Sequence, residues 1–455
     1  MPVSTTHPEY DLRVNSWVRC RDAFEGQDAI KAAGTMYLPR LSEQSTAEYE
    51  AYKTRALFYS ITSKTISALV GMATSKAPIL KFQPEMKSYF TDDSGVQFHE
   101  ILSGALSENL LMGRYGILID RPKGGGNPTL AGYTTENILN WRVDDHGNPT
   151  MVVLRENISV QDPLDEYVQT VETQYRVLRL KSGTYIQELY DEDENLLDSI
   201  TPLNTGLSMN YIPFFIVNPF GLGFAMHKPP TLDIVDINIS HYRTSADLEH
   251  GRHYTGLPVP VVSGVDANTK LKIGSMIAWV LPDVNARASY LEFTGQGLIS
   301  LEKALAEKQS QLASLSARLL GQSGNGSEAA ETVRLRYMSE TASLAAIVRS
   351  TEALLNRVYQ AVCEMQSLDK TQISVELSKE FLDSKLSGQD LRELVGAFID
   401  GAISEETLVY NLRRGDLISP QRLDSAELKR IADLKKEKSE AGSLSVQPKP
   451  TGVTK

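Results

Sequence analysis

The chain has 455 residues, a formal net charge of −11 and a hydrophobic share of 41%. That length supplies about two to four domains, and the acidic balance argues against a protein that grips nucleic acid by neutralising phosphates, though not against one that lets it pass. Two cysteines, Cys20 and Cys363, form neither a disulfide framework nor a Cys-based zinc site and fit a reducing interior.

Residues 1–45 are expected to be an irregular N-terminal arm, punctuated by Pro2, Pro8, Gly26, Gly34 and Pro39, with a helical turn or two over 27–33. No apolar core segment opens the chain, so no secretory signal is expected. Ser45 with Glu48 forms a capping-box pattern that opens a helix predicted to run to about residue 75, before Ala77-Pro78. A second helix is predicted over 97–112, and Gly113-Arg114-Tyr115 turns the chain into a strand over 116–120. The glycine-rich stretch 123–128 lacks the Lys-Ser/Thr and the following helix that a phosphate cradle needs.

A short helix is predicted over 134–139, followed by strands from Asn140 onward. Val171, Thr173, Tyr175 and Val177 alternate with polar residues, as in a sheet wet on one face. A further strand is predicted over 184–190. Asp191 to Asn195 starts like a calcium loop, but Leu196 and Pro202 stand where Gly and Glu are needed, so a hairpin turn is expected. The apolar stretch 212–226 is too short, and too broken by Pro213, Asn218 and Pro219, to cross a membrane; its first part is predicted to be a buried strand.

The stretch 229–366 organises the rest. A helix over 231–254 carries one apolar row, Leu232, Val235, Ile239, Tyr242 and Ala246, and a second mostly apolar row, Ile234, Ile237, His241 and Leu248. Between them lie Asp233, Asp236, Ser240, Arg243, Asp247 and His250. Two apolar rows require neighbours on more than one side. A β insert follows, with apolar pieces at 259–262, 273–281 and 290–293; Pro258, Pro260 and Pro282 suit edge positions, which can pair with another chain. Leu298, Leu301, Leu305, Leu312, Leu315 and Leu319 mark a second helix. The loop Gly321-Gln322-Ser323-Gly324-Asn325-Gly326 leads into a long helix to about residue 366, marked by Val333, Tyr337, Leu344, Val348, Leu355, Val362 and Met365. Pattern alone gives an antiparallel helix hairpin in an α+β protein. Beyond it, a strand is predicted over 373–377 and helices over 391–400, 405–413 and from Ser419-Pro420. The end, 428–455, has the composition of a charged, disordered tail.

Four histidines, His227, His241, His250 and His253, crowd one window, but His241 falls on another row and no His-Glu-x-x-His motif is present. No nucleophile elbow or dinucleotide fingerprint occurs in a fitting context. No catalytic residue, metal or cofactor is expected. Ser327 is placed to cap the long helix, and Glu328 and Glu331 in its first turn oppose a phosphate there. Arg334 and Arg336 follow, so the tip attracts a polyanion only weakly.

Several strings carry a family likeness: Asn137-Ile138-Leu139-Asn140-Trp141-Arg142; Asp236-Ile237-Asn238-Ile239-Ser240-His241-Tyr242-Arg243 with Ser245-Ala246-Asp247 and Glu249-His250-Gly251; Thr255-Gly256-Leu257-Pro258; Tyr290-Leu291-Glu292-Phe293-Thr294-Gly295; Glu331-Thr332; and Asp400-Gly401-Ala402-Ile403-Ser404-Glu405. Over about 46–415 the chain resembles the portal proteins of tailed bacteriophages. The resemblance implies an α/β wing (46–228), stem helices (229–256 and 298–320), a small β clip (257–297), a tunnel loop (321–327), a long tunnel helix (328–367) and a helical C-terminal crown (368–427).

It further implies a dodecameric ring at one capsid vertex of a virion, assembled in the host cytoplasm, through which double-stranded DNA is packaged and ejected. The implied partners are other copies of the chain, the terminase large subunit, a head–tail connector protein, and the major capsid and scaffold proteins. By position, Gly321 to Ser327 would line the channel, and Lys303, Lys308, Arg334 and Arg336 are the basic residues that could meet DNA. Val259, Val261, Ile273, Ile277 and Trp279 would make clip contacts, and Asp233, Asp236, Arg243 and Asp247 stem contacts between subunits. Lys303 and Lys308 could instead pair with Asp233 or Asp236 of a neighbouring stem. The alternatives are an oligomeric adaptor or scaffold protein without a channel, and a metalloenzyme built on the His241–His253 window.

Overall fold

The computed structural model describes residues 2–90, 96–121, 126–162, 165–204, 206–256, 259–264, 285–291, 296–320, 342–379, 381, 388–400, 402–414, 429–430 and 433. The fold is α+β, in two compact units: Met1–Met72 with Phe82–Ile373, and Ala73–Lys81 with Ser374–Lys455.

The first unit opens with a helix where an irregular arm was expected. In α1 (Pro8–Glu25) the His7 side chain accepts from the Glu9 N–H, Pro8 stands in the first turn, and Gly26, at φ 98°, ends the helix. The two residues that look like loop punctuation are therefore its boundary signals. Tyr10, Trp17, Cys20 and Ala23 form its buried side. Arg21 anchors it: both terminal nitrogens donate to Glu108 at 2.8 Å, and Nε donates to Glu136 at 2.8 Å. A short α2 (Gln27–Ala32) follows.

The capping box forms at Ser45 and opens α3 (Thr46–Arg55), but the single long helix expected from there is two helices. Ala56 is extended, and α4 (Ile61–Ala73) starts anew. The break is held open by side chains. Gln27 accepts from the Phe58 N–H at 3.2 Å, and Asn238 accepts from both the N–H and the hydroxyl of Thr62. A first-turn donor without an intrahelical partner is satisfied in this way.

Strand β1 (Ile79–Lys81) belongs to the second unit. After α5 (Lys87–Phe90) and α6 (Val96–Leu111), the chain forms β2 (Tyr115–Asp120), β3 (Thr129–Thr134), β4 (Ile138–Val143), β5 (Pro149–Gln161), β6 (Gln169–Lys181), β7 (Thr184–Tyr190) and β8 (Leu196–Ile200). A small pair, β9 (Leu203–Asn204) and β10 (Leu207–Ser208), precedes β11 (Phe214–Asn218) and β12 (Gly221–Leu222). Strands β4 to β8 make a five-stranded antiparallel meander in chain order; the other main sheet has the order β12-β11-β2-β3. Gly132 on β3 is required: a Cβ there would lie 1.8 Å from the Tyr115 hydroxyl, so only glycine lets that ring cross the sheet.

The helix expected over 134–139 is a 3₁₀ turn, Thr135–Asn137, because Ile138 already pairs with Leu154 in the meander. The hairpin turn expected at Asp191 is present, with Asp191 accepting from the Asn195 N–H at 2.7 Å. Charge links the two sheets. Glu156 accepts from Tyr133 at 2.5 Å, from Gln174 at 2.6 Å and from Arg176 at 2.6 Å, and Arg176 also reaches Asp120 at 3.3 Å.

Helix α7 (Leu232–Thr255) leads through an antiparallel strand pair, β13 (Val259–Ser263) and β14 (Arg287–Leu291), into α8 (Gln296–Leu320). Helix α9 (Ala342–Met365) then packs against α6, β11 and β12 and buries Leu344, Val348, Leu355, Val362 and Met365. In the second unit, β1 pairs with β15 (Ser374–Glu376), and α10 (Gly388–Ile399) and α11 (Glu405–Arg414) follow. The Ser404 hydroxyl accepts from the Thr407 N–H at 3.2 Å, as the cap reading expected. The helix expected from Ser419 and nearly all of the expected tail lie outside the described residues.

Replacing Arg21 by Met leaves Glu108, 8% exposed, facing Glu136 without a cation. Equilibrium unfolding of this variant should show a loss of about 3–5 kcal/mol. Glu156 supplies a pH dependence. Burial alone would raise its pKa, but hydrogen bonds from Arg176 and Tyr133 outweigh burial and hold it below the ordinary 4.5. The unfolded chain therefore binds the proton more readily. The contribution is present above pH 4.5 and is lost as pH falls through the depressed folded value. In Glu156→Gln this part of the acid dependence of stability should vanish.

Candidate functional site

The candidate site is the α7–α8 pair with the strand pair at its end. The two helices run antiparallel, as successive cross-links show. Lys308 donates to the Ser240 carbonyl at 3.1 Å and to the Thr244 hydroxyl, Gln309 meets His241 at 3.3 Å, and Arg252 donates to Glu302 at 2.9 Å. Near the strand pair the helices approach closely: a Cβ on Gly251 would lie 2.5 Å from the Leu298 side chain.

Leu232, Val235, Ile239, Tyr242 and Ala246 are all buried, and so are Ile234, His241 and Leu248 of the second row. The prediction that both rows need neighbours holds, but the neighbours come from the same chain. Helices α1 and α3 pack on α7 beside α8, and α4 is tied to it through Thr62 and Asn238. Asn238 is fully buried; its carbonyl serves Thr62, and its amide donates to the Tyr59 carbonyl at 2.9 Å. Other copies of the chain are thus not needed to cover α7.

The four residues expected at stem contacts sit on the exposed side of α7, and each has a partner within its own chain. Asp233 pairs with Lys228, and Asp236 with Arg19 at 3.1 Å. Arg243 donates to the Tyr37 carbonyl at 2.7 Å, and Asp247 accepts from Tyr52 at 2.6 Å. Burial and then the hydrogen bond to Asp247 push the Tyr52 hydroxyl well above its ordinary pKa. Three of these partners, Arg19, Tyr37 and Tyr52, escaped the sequence reading; the His7-Pro8 and Gly26 boundary signals of α1 could have drawn attention to Arg19.

On α8 the expected basic residues separate. Lys303 is exposed, whereas Lys308 is committed to α7, and burial lowers its pKa. Glu302, Ala306, Glu307, Ser310, Ala313 and Ser314 are exposed with Lys303, and Ile299 is 69% exposed. Val259 and Val261 pair with Leu291 and Ser289, and Val261 is exposed. Ile273, Ile277 and Trp279 lie outside the described residues, as do Gly321, Gln322, Ser323, Gly324, Asn325, Gly326, Ser327, Arg334 and Arg336.

The histidine window does not converge. His241 is buried against Tyr59 and Gln309, while His250 lies between the rings of Tyr52 and Tyr254. Burial lowers the pKa of both, with Lys308 adding to the effect at His241 and Arg55 at His250. Among the described residues no group of three His, Cys, Asp or Glu side chains could hold a metal ion, and no helix is long and apolar enough to cross a membrane. The arrangement can present a rigid paired rod with one exposed helix face and an edge-bearing strand pair.

A family described as a domain of unknown function (DUF4055) matches residues 230–365, from α7 to the end of α9. No curated protein matches the sequence. Among solved structures, the neck of an empty GTA particle computed with C6 symmetry is 13% identical, with a TM-score of 0.40 over 86% of this chain and 99% of that one. The neck of a native GTA particle computed with C12 symmetry is 13% identical, with a TM-score of 0.37 over 77% and 89%. A chain of the virion of a native gene transfer agent particle is 11% identical, with a TM-score of 0.41 over 84% and 98%.

The buried Asn238 gives the helix cluster a direct test. Asn238→Ala removes three hydrogen bonds and leaves the two Thr62 donors unpaired in the interior, while the Tyr59 carbonyl keeps the Ile61 N–H at 2.7 Å. Chemical denaturation should report a loss of about 2–4 kcal/mol, the cost of one or two buried groups left unsatisfied.

Proposed function

We propose that the chain is a non-enzymatic, portal-type subunit. Copies of it form a ring at one vertex of a phage-like capsid, and DNA passes through the centre. The observation that carries this reading is the order helix, strand pair, helix. Helices α7 and α8 run antiparallel with β13 and β14 at their joined end, and the strings that carry the family likeness fall on α7 and at the end of β14. In this assignment α7 and α8 are the stem, the strand pair belongs to the clip, the wing is residues 46–228, and α9 belongs to the tunnel helix.

The exposed face of α8 supports the reading. It mixes Lys303 with Glu302 and Glu307 around Ala306, Ser310 and Ala313. One lysine against two glutamates leaves such a face slightly negative. Along a channel it would let a duplex slide, because tight phosphate contacts would hold it back. The terminase large subunit during packaging, and a connector protein afterwards, would dock on the clip end. The major capsid and scaffold proteins would contact the ring during assembly, and the finished ring would reside in the virion.

Native mass measurement of the purified chain should give a closed oligomer of about a dozen copies or a near neighbour of that number. A stable monomer at high concentration contradicts the proposal. Trimming Gly321 to Gly326 should leave the assembly mass unchanged and lower the DNA retained in particles; full packaging with the trimmed chain contradicts a channel role for that loop.

A further inference from the structure

Residues 2–7 form a short strap beside the meander. The His7 N–H donates to the Leu139 carbonyl at 2.9 Å, Asn140 donates to the Thr5 carbonyl at 2.9 Å, and the Ser4 hydroxyl donates to Glu194 at 2.8 Å. Strand β4 is the first in the sheet order, so the strap docks on an edge that, among the described residues, no strand covers. Its last residue also opens α1. His7 is extended, at φ −73° and ψ 141°, as the proline after it favours, and its Nδ1 accepts from the Glu9 N–H at 3.2 Å.

The cap fixes the protonation state. A neutral imidazole has one nitrogen lone pair, and here the helix uses it. A proton arriving at His7 takes that same lone pair, so the charged ring holds only donors and the Glu9 N–H loses its partner. The new charge would also stand at the N-terminus of an 18-residue helix, where the macrodipole opposes a cation.

The other contact of the ring acts in the same direction. His7 stacks on Trp141 with centroids 4.0 Å apart and planes 20° apart, and the Arg114 guanidinium lies 4.0 Å from the centre of the same indole. Two groups at that distance cannot share one face, so the indole lies between them. An indole face attracts a cation, but this ring already carries Arg114, which is 2% exposed and, with its pKa pushed down by burial to about 9, charged at neutral pH. Glu9 and Asp11 on α1 favour the charged imidazole. Burial above all, together with Arg114, outweighs these two carboxylates and holds the His7 pKa below its ordinary 6.5.

We propose that His7 is a proton-operated latch: a proton on Nδ1 uncaps α1, sets a second cation against the Trp141–Arg114 stack, and releases residues 2–7 from the edge of β4. The released ring titrates at the ordinary 6.5 and the docked ring lower, so the released form binds the proton more readily. The latch is closed above pH 6.5 and opens as pH falls from there toward the docked value. What it uncovers is strand edge, the kind of backbone that takes up another strand. The latch requires neither a ring nor a DNA channel.

Hydrogen exchange of the full chain tests the latch, read by mass spectrometry on a peptide spanning residues 4–11 and corrected for the pH dependence of the chemical step. Between about pH 7.5 and about pH 5, wild-type protection should fall, by about tenfold per pH unit inside the window. His7→Asn supplies a cap that does not titrate, so its protection should hold through the same range. His7→Ser supplies the same neutral cap should His7→Asn not fold. Glu194→Gln isolates the other acid-sensitive tie: hydrogen bonds from Ser4 hold Glu194 below its ordinary 4.5, so this variant should keep the wild-type midpoint. Wild-type protection that stays flat, a His7→Asn chain that loses protection as the wild type does, or a pH dependence that Glu194→Gln abolishes overturns the proposal.

Discussion

The burial of α7 is the constraint on which the first unit depends. A helix with two apolar rows cannot be satisfied by one partner, and this chain wraps it with α1, α3, α4 and α8. Asn238 sits at the centre of that wrap and explains why α3 and α4 are separate helices: its carbonyl captures the first-turn donors of α4. The opening helix belongs to the same wrap: its Arg19 pairs with Asp236 on the polar row of α7 while Tyr10, Trp17 and Cys20 go inward. Local sequence, helix packing and the position of α8 are coupled through this one element.

Buried charge follows a second rule. Arg21 holds α1 to Glu108 of α6 and to Glu136 beside β4, and Arg176 holds the meander to Asp120 of β2. Each is an arginine shared by two carboxylates, so each fixes geometry while its own desolvation is offset. Arg114 is buried more deeply than either and lies with its guanidinium 4.0 Å over the Trp141 ring.

Much of the architecture was legible in the residues. The capping box at Ser45, the hairpin turn at Asp191 and the apolar rows of α7 each rest on local chemistry that tertiary context did not override. The strand through Val171 to Val177 is present, but its alternation does not set its faces: Val171 is exposed, whereas Gln174 is buried in the Glu156 network between the sheets. The failures share a cause: a long-range contact outvoted a local pattern. Pro8 and Gly26 resembled loop punctuation until helix contacts made them boundaries. Ile138 joined a strand because Leu154 lay opposite it. The polar row of α7 finds partners within the chain more than 190 residues away at Tyr52 and 200 at Tyr37. No local signal at α7 encodes those partners, and only the identification of α1 and α3 as neighbours could have supplied them.

With α7 covered internally, the proposed assembly falls to the outward face of α8 and to the β13–β14 end. The most direct test is a cryo-EM reconstruction of the purified full-length chain that locates α8. The account predicts a closed ring in which Lys303, Ala306, Ser310 and Ala313 turn toward a central opening wide enough for a DNA duplex. An isolated subunit, or a ring whose opening is lined by other elements while α8 faces outward into solvent, would contradict it.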